Sequence, residues 1–168
     1  TPMNSSAASD VYKRQLSYRG YSIEELAQKS TFEETSYLLL FGELPTSAQL
    51  RKFTSKVTQY RDLPEELVLI LNALPKHTRP MDVLQMAVSS LGTFYDLEVS
   101  PEKVKGKKYD DEYFLNTSAA LIGALGSIVA AWHRIRNGDE PILSKPDYTY
   151  AENFLHILGA EKITPLMT

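Results

Sequence analysis

From Ser118 to Trp132 the chain reads SAALIGALGSIVAAW, fifteen residues without a charge. Leu121, Ile122, Leu125, Ile128 and Val129 alternate there with Ala119, Ala120, Gly123, Ala124, Gly126, Ser127, Ala130 and Ala131. A helix built from them is apolar or small on nearly every face, so it is expected to be covered all round. Gly123 and Gly126 each cost about 1 kcal/mol of helix propensity relative to alanine. Close approach of another backbone is the expected offset, because small residues let helices come near one another. The helix is expected to start at Asp110 or Asp111, to run through Arg136 and to stop at Gly138. The apolar run is shorter than the ~20 residues of a membrane span, so neither a transmembrane segment nor a signal peptide is expected.

A chain with such a helix must supply others to cover it, and local signals for them are frequent. Ser22 with Glu25, Thr31 with Glu34, Thr46 with Gln49 and Thr149 with Glu152 all have capping-box spacing, in which a hydroxyl and a carboxylate or amide satisfy orphan N–H groups reciprocally. Gly42 and Gly159 sit where left-handed stops belong. Pro64 and Pro80 stand at helix starts, followed by Glu65 and Glu66 or by Asp82, which suit the positive dipole end. Leu50, Phe53, Val57 and Tyr60 form one apolar stripe, and Val83, Met86, Ala87, Leu91 and Phe94 another. Ile23 shares a face with Leu26, as Phe32 does with Leu39. Leu16-Ser17-Tyr18 alternates and Arg19-Gly20 can turn, which fits a short extended arm or hairpin up to Tyr21. The fold class read from these signals is all-α and multi-helical, with a short N-terminal hairpin or extended arm. Residues 1–15 are Ser/Ala-rich with no apolar period and read as a non-native head; residues 16–168 read as one domain portion.

The chemistry visible in the sequence is sparse. There are 168 residues, a net charge of −3 and no cysteine, which excludes disulfides, thiolate zinc sites and a cysteine nucleophile. With no basic stripe, nucleic acid is not the expected partner. Lys103 to Lys108, inside the irregular stretch 96–108, reads as a solvated loop. His77, His133 and His156 lack metal-ligand spacing, and His133 near a helix C-terminus is favoured by the dipole. Gly123 and Gly126 lie inside a helix, so they make no phosphate loop. Glu24, Glu25, Glu33 and Glu34 fall in first helical turns. No nucleophile, base and orienter can be assembled from these residues.

The stretch Leu16–Thr46, LSYRGYSIEELAQKSTFEETSYLLLFGELPT, resembles the opening of citrate synthases and 2-methylcitrate synthases. Asp62-Leu63-Pro64 with Val68-Leu69, then Leu74-Pro75-Lys76, is similar to that family's next two helices. Pro80-Met81-Asp82-Val83-Leu84 with Ala87-Val88-Ser89 is similar to its HPMDVL signature, with Arg79 in place of the histidine. Tyr150-Ala151-Glu152-Asn153-Phe154-Leu155 is similar to its YAENFL helix. The resemblance extends from Leu16 to Met167. It implies the N-terminal part of a helical large domain that closes with a small domain over the substrates. It implies a cytoplasmic acyltransferase of the tricarboxylic acid cycle type, condensing acetyl-CoA or propionyl-CoA with oxaloacetate to citrate or 2-methylcitrate plus CoA. No cofactor is implied, since acyl-CoA is a substrate.

In that family an aspartate and a histidine enolise the acyl group, a second histidine polarises the ketone and arginines hold the carboxylates. All of these follow the matched portion, so no catalytic, substrate-binding or metal residue carries over, and this chain alone is expected to be inactive. What carries over is a homodimer contact, expected in or next to Ala120, Gly123, Ala124, Ser127, Ala131 and Phe154. A non-catalytic helical dimerisation module derived from the family is the alternative. Neither a membrane nor nucleic acid is an implied partner.

Overall fold

The computed structural model describes residues 16–95 and 111–164. The head at 1–15, the irregular basic stretch at 96–108 and the end of the resemblance at Met167 lie outside the described residues. Among the described residues the chain forms seven helices and one two-stranded antiparallel ribbon. The all-α reading therefore holds.

The chain divides into two units, Thr1–Arg51 and Lys52–Thr168. In the first, β1 (Ser17–Tyr18) pairs with β2 (Tyr21–Ser22), Tyr18 opposite Tyr21. The turn places Arg19 at φ 52° and Gly20 at φ 92°, and the Arg19 guanidinium donates to the Leu39 carbonyl at 3.3 Å. α1 (Ile23–Lys29) follows directly. Its Ser22 cap forms only in half: the Ser22 hydroxyl accepts from the Glu25 N–H, but the Glu25 carboxylate pairs with Lys29 one turn on. α2 (Phe32–Phe41) has the complete Thr31–Glu34 box. The buried positions of α2 are Glu33, Tyr37 and Leu38, while Phe32 and Leu39, read as one apolar face, are 48% and 43% exposed. Apolar residues surround the C-terminal half of this helix, so their spacing does not select a side.

α3 (Ser47–Gln59) is capped by Thr46 and Gln49 as expected. The second unit is built around the long helix. α4 (Glu65–Ala73) and α5 (Pro80–Phe94) precede it, α6 (Asp111–Asn137) is the long helix itself, and α7 (Tyr150–Leu158) ends the order. α4, α5 and α7 all pack on α6. Leu67 and Leu71 of α4, Val83, Ala87 and Leu91 of α5, and Ala124, Ile128, Ala131, Trp132 and Ile135 of α6 form one core. Each large aliphatic side chain there contributes about 1.5–3 kcal/mol by leaving water. Met86 and Phe94 flank it, half-buried, and on α3 Phe53 and Val57 are buried. Gly42, Gly138 and Gly159 all take the left-handed φ expected of helix stops.

Two details of the long helix differ from the expectation: its apolar length and its cover. Residues 112–137 are long and apolar enough to cross a membrane by length and composition, because the helix extends past the charge-free run on both sides. Half of its most apolar window is buried inside the molecule, and three helices pack on it, as on the core helix of a globular fold. Nor is it covered all round. Leu121, Leu125 and Val129, at four-residue spacing, are 38%, 43% and 40% exposed.

Candidate functional site

The side chains that structure the second unit meet where α3 ends. The N–H groups of Tyr60 and Arg61 bond back to the carbonyls of Val57 and Thr58 at 3.1 and 3.2 Å, a tightened last turn that carries Arg61 inward. Arg61 is 1% exposed. Its Nη1 donates to the Tyr148 carbonyl at 2.7 Å, and its guanidinium stands 5.7 Å over the Tyr150 ring. The Ser127 hydroxyl of α6 donates to the Arg61 carbonyl. Next in sequence, the Asp62 carboxylate accepts from the Ser144 N–H at 2.9 Å.

Two glycines allow the close packing around this knot. A Cβ on Gly123 would stand 2.5 Å from the Val57 carbonyl oxygen and 3.0 Å from the Tyr60 backbone. A Cβ on Gly126 would stand 3.2 Å from the Tyr150 hydroxyl and 3.3 Å from the Phe154 ring. The bare backbone beside Gly126 lets that hydroxyl reach the mid-helix Ile122 carbonyl, to which it donates at 2.7 Å. Asn153, buried on α7, accepts from the Lys145 N–H at 2.9 Å and donates to the Ser144 hydroxyl at 3.4 Å.

The cleft beside the knot measures about 50 Å³ and is lined by Arg61, Ser127, Ala130, Leu143 and Ile157 among others. That is room for a few waters, far below the hundreds of Å³ of a typical ligand pocket. Burial pushes the Tyr95 phenol up to about 12, with Tyr60 and Asp62 adding to the effect; its hydroxyl donates to the Asp62 carbonyl at 3.4 Å. The backbone and hydroxyl of Thr149 hold the Glu152 carboxylate below its usual range, as its place in a complete capping box requires. Burial, then Glu43, raises Tyr37. His77 and His133 are exposed, and His156 sets its ring edge-on to Tyr148 at 5.6 Å. Among the described residues no group of three His, Asp or Glu is placed to hold a metal ion.

Of the six residues expected in or next to a dimer contact, five lie on α6 and Phe154 lies on α7. Ala120, Gly123, Ala124, Ser127 and Ala131 are buried in this chain and Phe154 is half-buried. Gly123 faces α3, Ser127 faces Arg61, and Ala124 and Ala131 belong to the core shared with α4 and α5. The close approach inferred for Gly123 is thus made within one chain, because α3 already fills the space above it. Sequence reasoning missed Arg61, whose neighbourhood QYRDLPEE reads as a charged turn.

The family model described as citrate synthase, C-terminal domain, matches residues 1–168, the whole chain. This chain belongs to the citrate synthase family. Citrate synthase of Acidithiobacillus ferridurans is 36% identical over 154 residues, covering 91% of this chain and 39% of that protein. 2-Methylcitrate synthase 1 of Corynebacterium glutamicum is 38% identical over 143 residues, covering 85% of this chain and 35% of its own length. The crystal structure of citrate synthase from Pyrobaculum aerophilum superposes with a TM-score of 0.78 at 33% identity, over 89% of this chain and 37% of that one. This citrate synthase family chain therefore spans 39% of the first of these relatives and 35% of the second.

Proposed function

We propose that this chain is the N-terminal part of the large domain of a citrate synthase-type acyltransferase. The whole enzyme condenses acetyl-CoA or propionyl-CoA with oxaloacetate, releasing CoA and citrate or 2-methylcitrate, in the cytoplasm and without a cofactor. The observation that carries this reading is similarity over 91% of the chain to a citrate synthase of which it spans 39%. Identities of 36% to a citrate synthase and 38% to a 2-methylcitrate synthase favour neither acyl group. The segment's own part is scaffold: its acids cap helices, and the cleft beside Arg61 is too small for either substrate.

The same reading gives the enzyme a two-fold contact on α6. Leu121, Leu125 and Val129 form an exposed apolar stripe one turn apart, above the small residues first expected there. A self-complementary stripe suits an isologous contact, in which the same patch serves both subunits.

Thiol release with oxaloacetate and either acyl-CoA tests the reading. The intact protein that contains this chain is expected to release CoA, and the purified 168-residue chain to release none. CoA release by the 168-residue chain alone, or none from the intact protein, contradicts it.

A further inference from the structure

Arg61 is a costly way to fill its site. Its guanidinium lies beside the first residues of α7, the positive end of that helix dipole, where a cation is disfavoured. Burying the charge adds a desolvation penalty, and apolar side chains of similar volume often replace buried charges without loss of stability. What the arginine adds is direction. It joins the end of α3 to the Tyr148 carbonyl just before α7, while Ser127 ties its own carbonyl to α6.

The segment it reaches, residues 139–149, has no regular structure. Beside the apolar contacts of Pro141 and Ile142, polar anchors hold it at several points. Arg134 Nε donates to the Glu140 carbonyl at 2.5 Å, Asp62 accepts from Ser144, and Asn153 accepts from Lys145. Leu143, in its middle, is 76% exposed. Two of the anchors come from adjacent residues, Arg61 and Asp62, so one turn of chain fixes where this strap lies and where α7 begins.

We propose that Arg61 is a positioning residue: it sets the strap and the start of α7 against α6, and through them the surface that α6 and α7 present to a second copy. The second half of this statement rests on the two-fold reading above. The test uses Arg61→Met and Arg61→Lys in the intact protein, with amide exchange and the subunit dissociation constant as readouts. In Arg61→Met the Ser144 and Lys145 amides are expected to exchange roughly tenfold faster, the lower end of the factor carried by one hydrogen bond to a charged group. Exchange in α4 and α5 stays unchanged, and subunit dissociation strengthens in parallel. Arg61→Lys, which keeps a donor for Tyr148 and guards against a variant that fails to fold, is expected to recover part of both effects. Unchanged strap exchange overturns the inference, as does faster exchange with unaltered dissociation. Leu125→Glu serves as the separate arm: if it leaves dissociation unaltered, the two-fold reading fails by itself and strap exchange alone decides the role of Arg61.

Discussion

α5 and α6 lie against each other, yet they choose their buried faces by different rules. In α5 the choice is made by polarity. Val83, Ala87 and Leu91 are buried, while Asp82, Gln85 and Ser89 on the other side face water, so the sequence stripe and the packed stripe coincide. In α6 polarity offers no choice, because every side is apolar. Large Ile128, Trp132 and Ile135 go inside towards α4 and α5, but where other backbone comes close only small residues fit. Gly123 meets the end of α3, Gly126 meets α7 and Ser127 meets Arg61, while Leu121, Leu125 and Val129 are left outside. An apolar pattern alone does not tell which face of a helix is covered; its glycines tell where a neighbour comes closest.

Substitutions can break this comparison. Leu91→Ala on α5 opens a hole in the core that α6 shares, and should cost about 2–5 kcal/mol in denaturant unfolding of the intact protein. A cost near zero would mean that α5 does not bury the face its periodicity indicates. Gly123→Ala on α6 tests this close approach. The added carbon meets backbone at Val57 and Tyr60 rather than a yielding side chain, so the expected loss is about 1–3 kcal/mol despite alanine's better helix propensity. A neutral or stabilising result would show that α3 does not lie that close.

A smaller effect is expected at the margin of the core. Because the folded-state value for Tyr95 is raised from 10.0 to about 12, the folded chain holds this proton more tightly than the unfolded one. Its contribution to stability is fully present below pH 10 and fades as the pH rises towards about 12. Ultraviolet titration should show late-ionising tyrosine absorbance, to which Tyr37 also adds, that shrinks in Tyr95→Phe. A tyrosine titration in which Tyr95→Phe removes an ordinary phenol would contradict the burial inferred for it.

What was legible in the sequence was what depends on neighbours a few residues away. The Thr31 and Thr149 boxes, the glycine stops and the α5 stripe are set by chemistry within one or two turns, and each appears where it was read. The Ser22 box formed only in half because a second local partner, Lys29, also competes for Glu25. Arg61 was not legible, because the partners that make burial tolerable, Tyr148 and Tyr150, lie more than eighty residues away. The inner and outer faces of α6 were not separated for a related reason. Which small residue meets which backbone is fixed by the path of α3 and α7, not by the run SAALIGALGSIVAAW itself.

The two faces of α6 are separated most directly by sedimentation of the intact protein carrying Leu125→Glu, with circular dichroism to confirm that the helices persist. Leu125 is 43% exposed within its own chain, so under the proposed two-fold contact the expected result is an unaltered helical signal and a shift from dimer to monomer. A dimer that survives Leu125→Glu unchanged would contradict the assignment of Leu121, Leu125 and Val129 to the proposed subunit contact.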